Sequence, residues 1–247
     1  MAAKYPRLAL YASLLLASCL AGAASVDLTG FWVRTDEAGS GNFDGMLANI
    51  PAAQLQPATQ EAARSEAAAK ATADKQQEQK INGVYRVAVK CDNASITFMM
   101  QHSGAFDIVQ NEQAVLVIPE HQGTQHIYLD GRPHPPLSDW QPSGAGHSIG
   151  HWEDGALVVS TVGMKAGGGI PAGGRKGPAT ELVERFQLRD PQHLIVRFTW
   201  NDPAIYTSPH SYVFTYEKQP TDSYAFESWC DVTDPLQGQS IVVPPQK

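Results

Sequence analysis

QHIYLDGRPHPPLSDWQPSGAGHSIGHWEDGALVVST, residues 125–161, holds four of the chain's eight histidines and ends in a hairpin that can be written from the residues alone. Asp154-Gly155 is the dipeptide of a two-residue type I′ turn, and period-two segments flank it. Such a turn pairs Trp152 with Leu157, Gly150 with Val159 and Ser148 with Thr161, while His151 faces Val158 and His147 faces Val162. One face then carries Trp152, Leu157 and Val159. The other carries His147, Ile149, His151, Val158, Ser160 and Val162. Histidines among aliphatics suit a ligand-binding lumen, with the Trp152 face packed outward under a helix. The reverse assignment stays open.

Outward from the hairpin the same period recurs over most of the chain. Strand-like runs cover 95–101, 105–110, 114–119, 124–129, 147–152, 156–162, 181–188, 193–200, 210–218 and 223–230. Asn111-Glu112, Asp190-Pro191 and Gln219-Pro-Thr-Asp punctuate them as turns. With 28–35 added, about eleven short strands predict one undivided all-β domain over 24–247. Its expected form is an antiparallel up-and-down barrel. Residues 59–80, rich in Ala, Glu, Gln and Lys, predict one exposed N-terminal helix capped by Thr59. The segment 162–178, VGMKAGGGIPAGGRKGP, is too glycine-rich for regular structure without outside contacts. It reads as a mobile loop, either a lid over the barrel mouth or a solvated linker.

The first residues carry Lys4 and Arg7, an apolar run to Leu16 and then small residues, the layout of a secretory signal over 1–23. The run is shorter than the roughly 20 residues of a spanning helix. Leu16-Ala17-Ser18-Cys19 fits a lipobox, which would place a membrane-anchoring lipid on Cys19; Ala21-Gly22-Ala23 fits ordinary cleavage. Either route implies export to the periplasm or its outer membrane. The chain's net charge is −7, and losing Lys4 and Arg7 makes it more negative, which argues against nucleic acid as a partner. Cys91 and Cys230 remain as an even pair in an oxidising compartment and are expected to form a disulfide. The oligomeric state is left open.

The chemistry-bearing side chains gather in the opening stretch. His126, His134, His147, His151 and Asp130 fit no common metal-ligand spacing, so neither a metal nor another cofactor is expected. Metal-free acid/base work suits imidazoles, whose pKa values lie near neutrality. His147 and His134 are read as base and acid facing each other, with Asp130 orienting one of them and Arg132 holding an anionic or carbonyl oxygen. Tyr128 and Trp152 would line the pocket, with His126 and His151 as further binding groups. The prolines at 133, 135, 136 and 142 stiffen the intervening loop, which is expected to start and finish at one end of the barrel. Glu184 shares a strand face with Leu182, Phe186 and Leu188. It is therefore a second lumenal acid/base candidate, or an edge-strand charge that blocks aggregation. Gly146-His-Ser-Ile-Gly150 matches the nucleophile elbow of serine hydrolases, but no strand-to-helix turn surrounds Ser148.

Two resemblances add to this. Leu28-Thr-Gly-Phe-Trp32 is similar to the opening strand of avidin- and lipocalin-like barrels. Tyr128-Leu-Asp-Gly-Arg-Pro-His134-Pro, Gly146-His-Ser-Ile-Gly-His-Trp-Glu153, Val183-Glu-Arg-Phe186, Asp202-Pro-Ala-Ile-Tyr-Thr207 and Cys230 together resemble a large group of exported, β-rich bacterial proteins without an assigned activity. That group usually has Trp-Glu-Gly-Asp where this chain has Trp152-Glu-Asp-Gly155, and Arg in place of His126. The resemblance implies a shared fold and a shared site around Asp130, Arg132, His134 and His147, without naming a reaction. The expectation is an exported barrel that binds a small apolar or aromatic molecule and acts as an isomerase, lyase or hydratase. A lipocalin-like carrier of a hydrophobic ligand is the alternative.

Overall fold

A computed structural model describes residues 25–35, 50–77, 105–119 and 123–223. Residues 1–23, expected to be a secretory signal, with Cys19, Cys91, Cys230 and the strands expected over 95–101 and, from residue 224 onward, over 223–230, lie outside those residues.

Within them the chain is β1 (Gly30–Thr35), α1 (Pro57–Gln77), β2 (Ala105–Gln110), β3 (Ala114–Pro119), β4 (Gln125–Tyr128), β5 (His147–Glu153) and β6 (Ala156–Val162). A small hairpin of β7 (Gly167–Ile170) and β8 (Gly174–Lys176) follows. β9 (Glu181–Asp190), β10 (His193–Asn201) and β11 (His210–Lys218) complete the described strands. Nine strands close into a barrel in the order β1-β11-β10-β9-β6-β5-β4-β3-β2, with β2 back beside β1. The β7-β8 hairpin stands apart as its own two-stranded sheet.

The barrel is mixed, where a purely antiparallel meander was expected: β4 and β5 are parallel, with Ile127 opposite Ser148 and Tyr128 opposite Ile149. Parity requires such a pair. Around a closed ring of nine strands, directions cannot alternate throughout, so at least one neighbouring pair must run the same way. A parallel pair also needs a crossover of a dozen or more residues. The chain supplies it as the proline-rich connection from Leu129 to Gly146.

The β5-β6 hairpin has the register read from its turn. Trp152 faces Leu157, Gly150 faces Val159, Ser148 faces Thr161, and His147 faces Val162. Asp154 and Gly155 have φ of 49° and 72°, the left-handed pair a type I′ turn demands. Which face points inward is the reverse of the lumenal-histidine assignment. Leu157, Val159, Ser148 and Thr161 are buried inside, and the His147 and His151 face forms the outer wall. The reason is volume: the interior is already occupied by Trp32, Phe106, Phe186, Phe198, Trp200 and Tyr216, none of which retains exposed surface. Each such side chain contributes on the order of 2–3 kcal/mol by burial, which polar imidazoles could not match.

The glycine-rich segment is ordered rather than a mobile loop, because outside contacts hold it. Ala53 N–H donates to the Ala172 carbonyl at 2.9 Å, and His210 Nε2 meets the Pro171 carbonyl at 2.9 Å. Arg175 N–H donates to the Tyr206 hydroxyl at 2.9 Å. Ile170 joins the hydrophobic core. Before it, Ser143 N–H donates to the Gly163 carbonyl and Lys165 N–H to the Ser143 carbonyl, fastening the proline-rich connection. α1 runs over 57–77, so Thr59 lies inside it rather than capping it; among the described residues it meets the barrel side through Thr59 Oγ1 to the Ala204 carbonyl and an ion pair of Glu66 with Arg175.

Candidate functional site on the outer wall

β4 and β5 run in the same direction, so the connection between them starts beside Ile149 and must return to the level of His147. It does so along the outer wall of the barrel, which corrects the expectation of a loop confined to one end. His134, set between Pro133 and Pro135, thereby comes to rest over the outward residues of β5 and β6. Its Nδ1 lies 2.9 Å from His147 Nδ1, and its Nε2 lies 3.0 Å from Ser160 Oγ. Ser160 in turn donates to Glu181 Oε1 at 2.6 Å. Four side chains from the connection, β5, β6 and β9 form one row.

His147 points outward yet is only 9 % exposed, because the connection covers it. The Trp140 ring stands edge-on to its imidazole at 5.2 Å, and Tyr128 stacks against it at 5.5 Å. Burial holds the His147 pKa below the usual histidine value, and the Arg132 charge adds to that. Burial also lowers His134; the neighbouring His147 lowers it further, and Glu181 opposes them. Both rings are therefore neutral at pH 7, so each has one N–H and one lone pair to place. Among the described residues, His147 Nε2 makes no hydrogen bond. Both nitrogens of His134 are engaged, leaving one imidazole nitrogen of the pair open to a guest.

Asp130 does not orient either histidine. Its carboxylate accepts from Arg132 Nε at 2.9 and 3.0 Å and from Nη2 at 2.5 Å. That bond drives the Asp130 pKa down to about 2. Arg132 lies with its guanidinium carbon 3.8 Å from the centre of the Tyr128 ring, and Nη1 stays outside the carboxylate pair. His126, exposed on the same outer face, stacks on Tyr128 at 4.3 Å. Arg132 and Tyr128 thus stand beside the histidine pair, with His126 behind them.

Three expected members belong elsewhere. His151 is exposed farther along β5, 3.6 Å from Glu153. Trp152 is on the inward face at the turn end, packed against the core; the surface cleft it helps line includes Asp27, Gln110 and Leu129. Glu184 lies inside, opposite Val159 and Phe198, with no exposed surface. Its strand is central, so the edge-strand reading fails. Gln125 Nε2 donates to Glu184 Oε2 at 2.6 Å and lies 3.3 Å from both Ser148 Oγ and Thr161 Oγ1, which are themselves 2.8 Å apart. Burial pushes the Glu184 pKa up to about 7, against the Gln125 hydrogen bond. Ser148 is therefore a buried strand hydroxyl in this network and not a nucleophile at an elbow.

Ser160, Glu181 and Trp140 are the site residues that sequence reasoning passed over. Ser160 was already on the His147 face of the hairpin, and alternation from Glu184 sets Glu181 outward with Val183 and Arg185. The missing information was that the connection would lay His134 between His147 and Ser160. Among the described residues, no three His, Cys, Asp or Glu side chains gather as metal ligands. No protein family, curated protein or solved structure matches the chain.

Proposed function

We propose that the His134–His147 pair is an acid/base site acting on a small apolar or aromatic molecule, in an isomerisation, elimination or hydration. The observation that carries this reading is the 2.9 Å approach of the two Nδ1 atoms, which leaves His147 Nε2 without a partner among the described residues beside Arg132, Tyr128 and Trp140. A neutral imidazole with an open nitrogen is a competent base near neutral pH, and a second imidazole bonded to it stabilises the charge it gains. Arg132 Nη1 would hold an anionic or carbonyl oxygen of the substrate, and the Tyr128 and Trp140 rings would flank its apolar part. No cofactor enters this chemistry. Export, and a lipid anchor on Cys19, belong to the same proposal and rest on the N-terminal sequence.

The rival carrier has less support, since the interior where a lipocalin-like protein holds its ligand is filled by large aromatic side chains. A serine hydrolase has less still, with Ser148 only 2 % exposed and bonded inside the barrel.

Proton abstraction can be read without knowing the natural substrate. Incubated in D₂O with a panel of small aldehydes, ketones and hydroxy acids, the protein is expected to catalyse carbon-bound hydrogen exchange in one compound class, followed by NMR. His147→Ala and His134→Ala should each slow that exchange about 100-fold or more. The double variant should be little slower than either, because residues acting as a unit are non-additive. Exchange that survives His147→Ala, or a hydrophobic compound released unchanged from the purified protein with no exchange on any panel member, would overturn the reading.

A further inference from the structure

We infer that Ser160 and Glu181 are the positioning residues of this site: through His134 they fix which nitrogen of His147 is free to take a proton. The inference rests on the acid/base reading above, but its test needs no substrate.

The argument follows protons along the row. A carboxylate has no hydrogen to give, so in the 2.6 Å contact Ser160 donates its hydroxyl proton to Glu181. Having spent that proton, Ser160 Oγ can only accept from His134, which places the His134 proton on Nε2. A neutral imidazole carries one proton, so His134 Nδ1 is a lone pair. The 2.9 Å contact then requires His147 to supply the hydrogen from its own Nδ1. His147 Nε2 is left bare, and it is the one nitrogen of the row with no partner among the described residues. Each step leaves a single choice.

The row also determines where charge goes when the base works. A substrate C–H or O–H bond breaks, its electron pair stays with the substrate, and its proton binds His147 Nε2. The resulting imidazolium keeps its Nδ1–H on His134, and the aligned N–H and O–H dipoles lead from it toward the Glu181 carboxylate. No other proton need move. This is the orienting part that Asp130 was expected to play, and Asp130 is engaged with Arg132 instead. The titratable and charged groups around the pair are Glu181 from β9, Arg132 and Asp130 from the connection, and Tyr128 and His126 from β4.

Long-range ¹H–¹⁵N correlation NMR of the ¹⁵N-labelled full chain, at a pH where both rings are neutral, reads the tautomers directly. The expected wild-type pattern is Nε2–H for His134 and Nδ1–H for His147. S160A should lose the His134 preference and give a mixture, whereas S160T, which keeps the hydroxyl, should retain it. E181Q gives Ser160 an amide that can donate as well as accept, so the Ser160 hydroxyl is no longer bound to give its proton away and is free to donate back to His134. It should therefore shift His134 toward Nδ1–H and His147 toward Nε2–H. The pair's apparent pKa should also fall as the carboxylate charge, which raises His134, is lost. A wild-type His134 carrying its proton on Nδ1 overturns the inference even if no variant folds, and so do tautomers unchanged in both S160A and E181Q. Absence of hydrogen exchange together with the expected tautomers would remove the acid/base function while leaving the positioning intact.

Discussion

Glu184 shows how much one residue's surroundings decide. It has no exposed surface, and burial raises its pKa from the ordinary 4.5 to about 7. A folded-state pKa above the unfolded value means the folded protein binds the proton more tightly. This contribution to stability is complete below about 4.5 and is lost as pH rises toward about 7. The gap corresponds to about 3 kcal/mol. Glu184→Gln keeps the shape and cannot ionise. It should therefore be more stable than wild type at pH 8, by up to about 3 kcal/mol, with the difference closing near pH 4.5. Urea unfolding at the two pH values checks this, and a difference independent of pH would contradict it. His134, His147 and His210 act in the opposite sense. Their pKa values are lowered by burial, so the stability tied to their neutral forms is lost as pH falls below about 6.5 toward the folded-state values. The inward position of Glu184 was legible from alternation alone, since its strand neighbours Leu182 and Phe186 are apolar. Its partner Gln125 was not, because that contact crosses β5 and β6 from a strand whose neighbours the sequence does not reveal.

At the scale of elements, the β5-β6 hairpin and the connection before it contrast in what could be read. Asp154-Gly155 specifies a turn type, the turn specifies a register, and every expected pair is present. The parallel pairing of β4 with β5 left no such mark. Period-two alternation tells which face a residue takes, and says nothing of the direction of the neighbouring strand. The β7-β8 hairpin was illegible for another reason: glycine carries no side-chain pattern, and the segment is held by Ala53, Tyr206 and His210 from distant parts of the chain. The connection's hold on the site can be tested at Gly163. Its φ is 69°, and a Cβ there would come within 2.4 Å of Trp140 Cδ1. Gly163→Ala thus combines a disfavoured backbone with a ring that must shift. The expected loss is about 1–3 kcal/mol. Because Trp140 covers His147, the variant should also let the His147 pKa rise toward its ordinary value, which NMR titration would detect. A destabilised variant whose His147 titrates as in wild type would mean that Trp140 does not shield the imidazole.

At the scale of the whole molecule, the strands of the barrel follow from the recurrent alternation, but what the barrel is for turns on its interior. Sequence alternation cannot distinguish a lumen lined by apolar side chains from one filled by them, because both give the same period. Here the register sets Leu157 opposite Phe186, Phe186 opposite Val196 and Val196 opposite Phe214, with Trp32, Phe198 and Trp200 also inside. Such packing makes the interior a core, and leaves the proposed chemistry to the wall. Phe186→Ala is the measurement that separates a core from a ligand chamber. In a core, removing the ring forfeits its contacts and leaves a cavity, at a cost of about 3–5 kcal/mol. An apolar cavity of that kind stays dry and accepts a benzene-sized guest. The variant should therefore melt lower than wild type and recover part of the loss in saturating benzene, while wild type is unaffected. If the interior were a chamber for a hydrophobic ligand, wild type itself should be stabilised by apolar compounds, with a change in fluorescence from buried Trp32 and Trp200. Phe186→Ala would then cost little, because the ring would border space already open. A wild-type barrel that binds such compounds inside would return the carrier reading to first place and leave the histidine row as part of the wall.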